Sequence, residues 1–125
     1  MLLPGSGYSG TVIGCAIRVH SALGPGLLES AYAKCLLADF QSAGLHVDCE
    51  VAVPVEYLHA QVDCAYRADF VVERSLVVEV KSVARLEKVH QAQLLTYMKL
   101  LHLREGLLIN FNAVLLKEGI KRLLL

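Results

Sequence analysis

The sequence predicts a domain of the α/β or α+β class, in which helices pack on a mixed central β-sheet. Helical periodicity occurs in two segments near the start and in one after the middle of the chain, at 10–23, 27–43 and 87–101. Valine-rich, alternating segments lie between the second and third helices and again at the end. A chain of 125 residues fits one domain, so residues 1–125 are expected to fold as one unit.

The helix ends are marked by residues that stop helices. Gly24-Pro25-Gly26 ends the first helical segment, and Gly44 is placed as the C-terminal stop of the second. The spacing therefore predicts two short, consecutive helices before the first strand.

The strands are predicted from period-two alternation and β-branched residues. The first covers 47–57 and is interrupted near Pro54, because proline cannot donate to a sheet ladder. Two further strands, 61–72 and 76–82, are joined by Glu73-Arg74-Ser75. Late strands are predicted at 106–112 and 119–124, with a possible short one at 114–116.

The charge balance excludes binding of nucleic acid by net charge alone. The chain has 12 basic and 12 acidic side chains, so any nucleic-acid contact has to be local or assisted by a metal ion. The hydrophobic fraction is 55%, which a small domain cannot hide entirely, so we expect a homo-oligomer. No apolar run approaches the ~20 residues of a membrane span, and no signal peptide is evident.

The four cysteines, Cys15, Cys35, Cys49 and Cys64, form no Cys-x-x-Cys pair and no cluster with zinc spacing. We interpret them as reduced, buried, small hydrophobic residues of a cytoplasmic protein.

Polar side chains on apolar helix faces are the first functional signal. With about 100° per residue, Glu29 falls within the apolar arc of the second helix, where a carboxylate is costly unless it is paired or bound to a metal. Alternatively, Glu29 is a helix-start carboxylate favoured by the N-terminal dipole. His20 shares a face with apolar residues of the first helix and is interpreted as a hydrogen-bonded core histidine, with a site role as the alternative.

The third helix carries a second polar pair on its inner face. Gln93 and Tyr97 are four residues apart and therefore lie on one face, together with Val89 and Leu100. They are either site residues or a half-exposed pair at the edge of the core. His90, at the margin of this face, is either a surface histidine or a phosphate contact.

The hairpin around residues 73–75 places two carboxylates together. With a three-residue loop, Val72 pairs with Leu76, and Asp69 then lies opposite Glu79. Glu79 and Lys81 share a face because alternate residues of a strand do so. Arg67 shares a face with Asp69 in the same way.

Two carboxylates directly opposite each other on a sheet repel, and a divalent cation between them reverses this interaction. Oxygen ligands suit Mg²⁺ or Mn²⁺. Lys81 would supply positive charge for an attacking water or for developing negative charge. The alternative is a solvated hairpin with an ordinary Glu–Lys pair, but the apolar run around Glu79 is typical of a buried central strand.

The motifs together resemble a known family. Gly26, Glu29 and Tyr32 fill a Gly-x-x-Glu-x-x-Tyr signature, which Val19-His20 and Leu23-Gly24-Pro25 precede. Asp69, Glu79-Val80-Lys81, Gln93-x-x-x-Tyr97, Gly106–Phe111 and Gly119–Arg122 follow in order. The chain is similar, over nearly its whole length, to GxxExxY family proteins of the PD-(D/E)XK nuclease superfamily.

This resemblance implies a PD-(D/E)XK, restriction-endonuclease-like core with its acidic residues on the central hairpin. It implies that Asp69 and Glu79, with the backbone carbonyl of Val80, bind the metal, and that Lys81 is the catalytic lysine. It further implies that Glu29 orders the metal or its water and that Gln93 and Tyr97 contact the site or the nucleic-acid backbone.

The leading hypothesis is therefore an Mg²⁺- or Mn²⁺-dependent nuclease that hydrolyses phosphodiester bonds, with nucleic acid, foremost DNA, as its partner. Arg67 and His90 are the candidate nucleic-acid contacts. The chain has no groove-reading motif, so little sequence specificity is expected. The alternative is a non-enzymatic, homo-oligomeric structural or binding protein on a retained nuclease scaffold, with Leu95 and the tail Leu123-Leu124-Leu125 as candidate association surfaces.

Overall fold

The computed structural model describes residues 7–63 and 66–125. Three α-helices, seven strands and one short 3-10 helix form a mixed α/β domain. The helices are α1 (Ser9–Leu23), α2 (Glu29–Ser42) and α3 (Lys88–Leu100), and the 3-10 helix is Leu116–Gly119. The strands are β1 (Val47–Ala52), β2 (Val55–Tyr57), β3 (Ala60–Val62), β4 (Arg67–Val72), β5 (Leu76–Lys81), β6 (Glu105–Asn110) and β7 (Ile120–Leu124).

The predicted fold class is confirmed. Five strands form the central sheet in the order β1-β4-β5-β6-β7, and β5 and β6 run parallel while the other neighbours are antiparallel. β2 and β3 form a separate two-stranded sheet. The parallel β5–β6 pair requires a crossover, and α3 supplies it.

The predicted helix stops are confirmed at Gly24 and Gly44, which follow α1 and α2. Their φ angles are +68° and +76°, in the left-handed region that glycine adopts without strain. Arg18 of α1 donates to both carboxylate oxygens of Asp39 on α2, and the shortest N–O distance is 2.6 Å. This ion pair joins the two helices.

Two strand predictions are wrong. The segment predicted as one strand over 61–72 is divided into β3 and β4, because β3 turns back to pair with β2 while β4 pairs with β1. The short strand considered at 114–116 does not form. The chain turns there instead, with Ala113 N–H donating to the Asn110 carbonyl over 3.3 Å, and then enters the 3-10 helix.

The core lies in two layers, one on each face of the sheet. On one face lie α1 and α2, and Tyr32 of α2 stacks on Phe111, directly after β6, with ring centroids 4.7 Å apart. On the other, α3 packs so closely on β6 that a Cβ at Gly106 would lie 2.6 Å from the Met98 sulfur. All six residues of β6 are buried, and its one acid, Glu105, bonds to Arg122 at 2.6 Å.

The cysteine prediction is partly wrong. Cys15 is buried, but Cys35 and Cys49 are exposed, and Cys64 lies outside the described residues. Cys35 is an exposed residue of α2, and Cys49 lies on β1, an edge strand of the sheet. The three described cysteines are free thiols.

The tail Leu123-Leu124-Leu125 is part of the sheet rather than a free appendage. Leu123 and Leu124 pair with Gly106 and Glu105, and Leu125 donates its N–H to the Arg104 carbonyl over 2.9 Å. Deleting it would remove sheet pairing as well as exposed apolar surface. No helix within 7–63 or 66–125 is long and apolar enough to cross a lipid bilayer.

Candidate active site

The β4–β5 hairpin has the predicted register. Val72 pairs with Leu76 and Phe70 with Val78. The paired ladder ends there, and Asp69 and Glu79 are the next residues of the two strands, so their predicted pairing lies just beyond it. The turn between the strands has positive φ angles at Glu73 and Arg74 (+51° and +53°), which match the right-handed strand twist of a tight hairpin.

A local irregularity turns Asp69 towards this site. Residues two apart in a regular strand share a face, but Ala68 packs with the α3 layer and Phe70 with the α1–α2 layer. On the neighbouring strand, the residue between the same two paired positions is Glu50, with a φ angle of +48°. Both strands therefore change face at this point, and the Asp69 carboxylate accepts the Val80 N–H at 2.8 Å.

Among the described residues, Glu79 is the carboxyl group in the most unusual surroundings. It is only 4% exposed, and its Oε1 atom has no hydrogen-bond partner among the described residues. Burial, reinforced by the negative charge of Asp69, raises the pKa of Glu79 to about 9. A buried oxygen without a partner is costly, and a cation bound between the two carboxyl groups would supply one.

Lys81 follows on the same face of β5 and is held from α3. Its ammonium group donates to Gln93 Oε1 at 3.2 Å. Tyr97, one turn further along α3, is buried, and its pKa is raised by burial and by the nearby Glu79. The predicted shared face of Gln93 and Tyr97 therefore lies against Glu79 and Lys81, whereas Val89, expected on that face, is 68% exposed.

Glu29 reaches the cluster from the other side of the sheet. The expectation that it points into the core is wrong, because α2 begins at Glu29 and its first side chain is exposed. Its carboxylate lies near the Ser82 backbone, and the loss of part of its hydration raises its pKa while the Lys81 charge opposes that shift. Glu29 also lines a cleft of about 500 Å³ together with Lys34, Glu50 and Asp69.

Contacts between distant segments hold the start of α2 beside the end of β5. Ser82 Oγ donates to the Leu27 carbonyl at 2.7 Å. The Tyr32 hydroxyl donates to the Gly24 carbonyl at 2.5 Å and accepts the Leu27 N–H at 3.1 Å. The Tyr of the Gly-x-x-Glu-x-x-Tyr signature thus fixes the loop that carries Glu29.

Asn110 likewise holds the segment after Lys81 in place. Its buried amide accepts from the Val83 N–H and donates to the Val83 carbonyl, both at 3.0 Å. Sequence analysis singled out Asn110 only within a longer motif, and it missed Glu50, Lys34 and Ser82. A polar residue ending the apolar run Leu107–Ile109 was the available signal for Asn110.

The remaining candidates lie at the margin of the site. Arg67 is exposed and donates to the Tyr66 carbonyl at 2.9 Å. His90 forms a capping box with Glu87, accepting its N–H on Nδ1 at 2.8 Å, and lies close enough to lower the pKa of Glu29. His20 is hydrogen-bonded as expected, its Nε2 lying 2.7 Å from the Ala113 carbonyl oxygen.

The described residues contain no group of three or more His, Cys, Asp or Glu side chains arranged to hold a metal ion. The pair Asp69 and Glu79 nevertheless fits a magnesium-type ion, because Mg²⁺ commonly uses one or two carboxylates and keeps several waters. The unpaired Oε1 of Glu79 is the observation that favours such an ion.

The fold and site together define a class. A mixed sheet whose central hairpin carries an Asp, a Glu and a Lys, flanked by helices on both faces, is the arrangement expected of a PD-(D/E)XK domain. A sequence model of the PD-(D/E)XK nuclease superfamily matches residues 6–123, and the chain belongs to that superfamily. No curated protein and no solved structure matches the chain significantly.

Proposed function

We propose that this protein is a divalent-metal-dependent nuclease that hydrolyses phosphodiester bonds, foremost in DNA, with little sequence specificity. The observation that carries the proposal is the buried, unpaired Oε1 of Glu79 beside Asp69 and Lys81, in a chain of this superfamily. We also propose membership of the GxxExxY family. The hydrogen bonds of Tyr32 and the position of Glu29 beside Lys81 support that finer assignment.

Asp69, Glu79 and the Val80 carbonyl would hold Mg²⁺ or Mn²⁺. When bound, such an ion neutralises the charge of the scissile phosphate and lowers the pKa of a bound water. The carboxylate oxygens supply the hard ligands that both ions prefer.

The other side chains would position the reactants. Lys81, held by Gln93, would orient the attacking water and stabilise negative charge as it develops on the phosphate. Glu29 would accept a hydrogen bond from that water on the open side of the site. Tyr97 is buried close enough to Glu79 for the two to interact electrostatically, and it would help to keep the site dry. Arg67 and His90 would contact neighbouring phosphates.

The test is cleavage of labelled single- and double-stranded DNA and RNA with Mg²⁺, with Mn²⁺ and with EDTA. Wild type should cut only with metal, and Lys81→Ala should lose about 100-fold or more of the rate while it still binds metal. Lys99→Ala, at an exposed lysine of α3, is the matched control and should cut normally. No cutting of any substrate by folded, metal-bound protein would favour the non-enzymatic binding or assembly role.

Self-association and a cytoplasmic location are part of the proposal. Large apolar side chains remain exposed at Leu28, Leu58 and Val114, with 78%, 79% and 82% of their surface accessible. Light scattering over a concentration series would show a dimer or larger species, whereas a monodisperse monomer would exclude it. The free thiols Cys15, Cys35 and Cys49 fit a reducing compartment.

A further inference from the structure

A second groove, of about 430 Å³, opens beside the candidate active site on the α3 face of the sheet. One wall is α3, with Val89, Gln93 and Thr96, and the other includes Val53 and Tyr66. Its volume lies within the ~300–1,000 Å³ of ordinary ligand sites, and its lining is mainly apolar with a few polar groups. Of its lining residues, the proposed hydrolysis uses only Gln93 and Tyr97.

This groove is continuous with the candidate active site. Gln93, which accepts the hydrogen bond from Lys81, lines the groove as well. Tyr97 also lines it while lying close enough to Glu79 for the two to interact electrostatically. A nucleic-acid strand with one phosphate at Lys81 would therefore bring an adjacent nucleotide to the groove.

The groove presents an aromatic surface. Tyr66 is 47% exposed, and its ring centroid lies 6.3 Å from that of the buried Tyr97, with the ring planes tilted by 56°. Nucleobases of every sequence stack on such side chains. Because the formal net charge is zero, the net charge of the chain contributes little affinity for nucleic acid. A stacking contact would supply additional affinity.

We propose that this groove binds an unpaired nucleobase against Tyr66, and that the substrate is therefore single-stranded nucleic acid or an unpaired end. This inference rests on the proposed function, since it is the proposed phosphate position that places a nucleotide here. In an intact duplex each base is stacked and paired, so its face is not free to enter the groove.

Binding of a fluorescent single-stranded oligonucleotide and of a blunt duplex of the same sequence tests the inference without hydrolysis. Fluorescence anisotropy would be measured on the full chain in EDTA and again in Ca²⁺. The single strand should bind at least tenfold more tightly than the duplex. Tyr66→Ala should weaken single-strand binding about tenfold, and Tyr66→Phe, which keeps the ring, should stay within about twofold of wild type.

Tyr57 provides the matched control, because it is 70% exposed on β2 and does not line the groove, so Tyr57→Ala should bind normally. Val89→Glu places a charge in the groove at a solvent-exposed position, should fold like wild type and should weaken binding. Val114→Glu, at an 82% exposed position outside the groove, should not. An oligonucleotide lacking the base that enters the groove should lose its sensitivity to Tyr66→Ala.

The outcomes separate this inference from the proposed function. Hydrolysis with single-strand binding unchanged in Tyr66→Ala would overturn the inference and leave the nuclease intact. Binding that depends on Tyr66 without any hydrolysis would support the groove and count against the nuclease. Preference for the duplex, equal losses in Tyr57→Ala and Tyr66→Ala, or no binding in either buffer would overturn the inference.

Discussion

The backbone N–H of Val80 donates a 2.8 Å hydrogen bond to Oδ2 of Asp69. This bond joins β5 to β4 just beyond the last ladder pair, Phe70 with Val78, and holds the Asp69 carboxylate in one orientation. Glu79, beside it, keeps an oxygen without a partner among the described residues. The two carboxyl groups are therefore unequal, because one is anchored by the backbone and the other is buried and protonated at neutral pH.

The buried Glu79 should make the metal-free protein less stable as the pH rises. The unfolded chain releases the Glu79 proton above its ordinary pKa of 4.5, whereas the folded chain holds it until about 9. This contribution is thus fully present below pH 4.5 and declines between about pH 4.5 and 9. Glu79→Gln stays neutral at every pH and does not undergo this loss, so in EDTA at pH ~8.5 the variant should be more stable than wild type by about 1–3 kcal/mol.

Urea unfolding at several pH values measures this difference, and the two proteins should converge at low pH. Glu56→Gln, at an exposed position of β2, is the matched control and should follow the wild-type profile. If the free energies of unfolding of wild type and Glu79→Gln changed with pH in parallel, Glu79 would be ionised in the metal-free protein.

Metal binding should release the Glu79 proton. Because the ion needs a carboxylate, the affinity for Mn²⁺ should increase close to tenfold per pH unit between about pH 6 and 8. Calorimetry in two buffers of different ionisation enthalpy should report the release of nearly one proton. Asp69→Ala and Glu79→Ala should each abolish Mn²⁺ binding. Glu56→Ala is the control and should bind Mn²⁺ like wild type. Unchanged Mn²⁺ affinity in either site variant would contradict the ligand assignment.

The hairpin and its register were predictable because local rules determine them. A three-residue connection after Val72 leaves one pairing that keeps the apolar faces inward, and the ladder confirms it as far as Phe70 with Val78, the residues directly before Asp69 and Glu79 in the two strands. The face shared by Gln93 and Tyr97 followed from helical periodicity in the same way. These features depend on residues close together in the chain.

The features that escaped prediction depend on distant partners. Ser82 is 55 residues from Leu27, whose carbonyl it binds, and neither residue has a local signal for that contact. Glu50 adopts a positive φ angle that its residue type disfavours, so no sequence rule indicates the change of face at Asp69. Glu29 was wrongly predicted to face the core because the apolar arc of the helix was extended to it. Glu29 is the first residue of α2, where the helix has only begun to pack on the sheet.

Removing the Tyr32 hydroxyl should loosen the loop that leads to Glu29. In Tyr32→Phe the ring can still stack on Phe111, but the Gly24 carbonyl and the Leu27 N–H lose their shared partner. Urea unfolding should show a loss of about 1–2 kcal/mol. If the proposed hydrolysis occurs, its rate should fall at temperatures where the variant is fully folded. Tyr57→Phe is the control for a tyrosine hydroxyl at an exposed site; equal effects in both variants would contradict the bracing role.

The side-chain amide of Asn110 should contribute more to stability than that of Asn112, because it bonds to both the N–H and the carbonyl of Val83. Asn110→Ala leaves a partly buried N–H and a carbonyl short of partners and should cost about 1–3 kcal/mol in the free energy of unfolding. Asn112→Ala removes one 3.3 Å bond to the same carbonyl and should cost less than about 1 kcal/mol.

The position of Asn110 also predicts which property of the site changes. Val83 lies two residues after Lys81, so the loss of the clamp should disturb Lys81 before it disturbs Asp69, which the Val80 N–H holds. Asn110→Ala should therefore slow hydrolysis while keeping Mn²⁺ affinity within a few-fold of wild type, as calorimetry and a cleavage assay on the same sample would show. A parallel loss of both would mean that the clamp supports the whole hairpin, because an intact Asp69–Glu79 pair should bind metal whatever the position of the lysine.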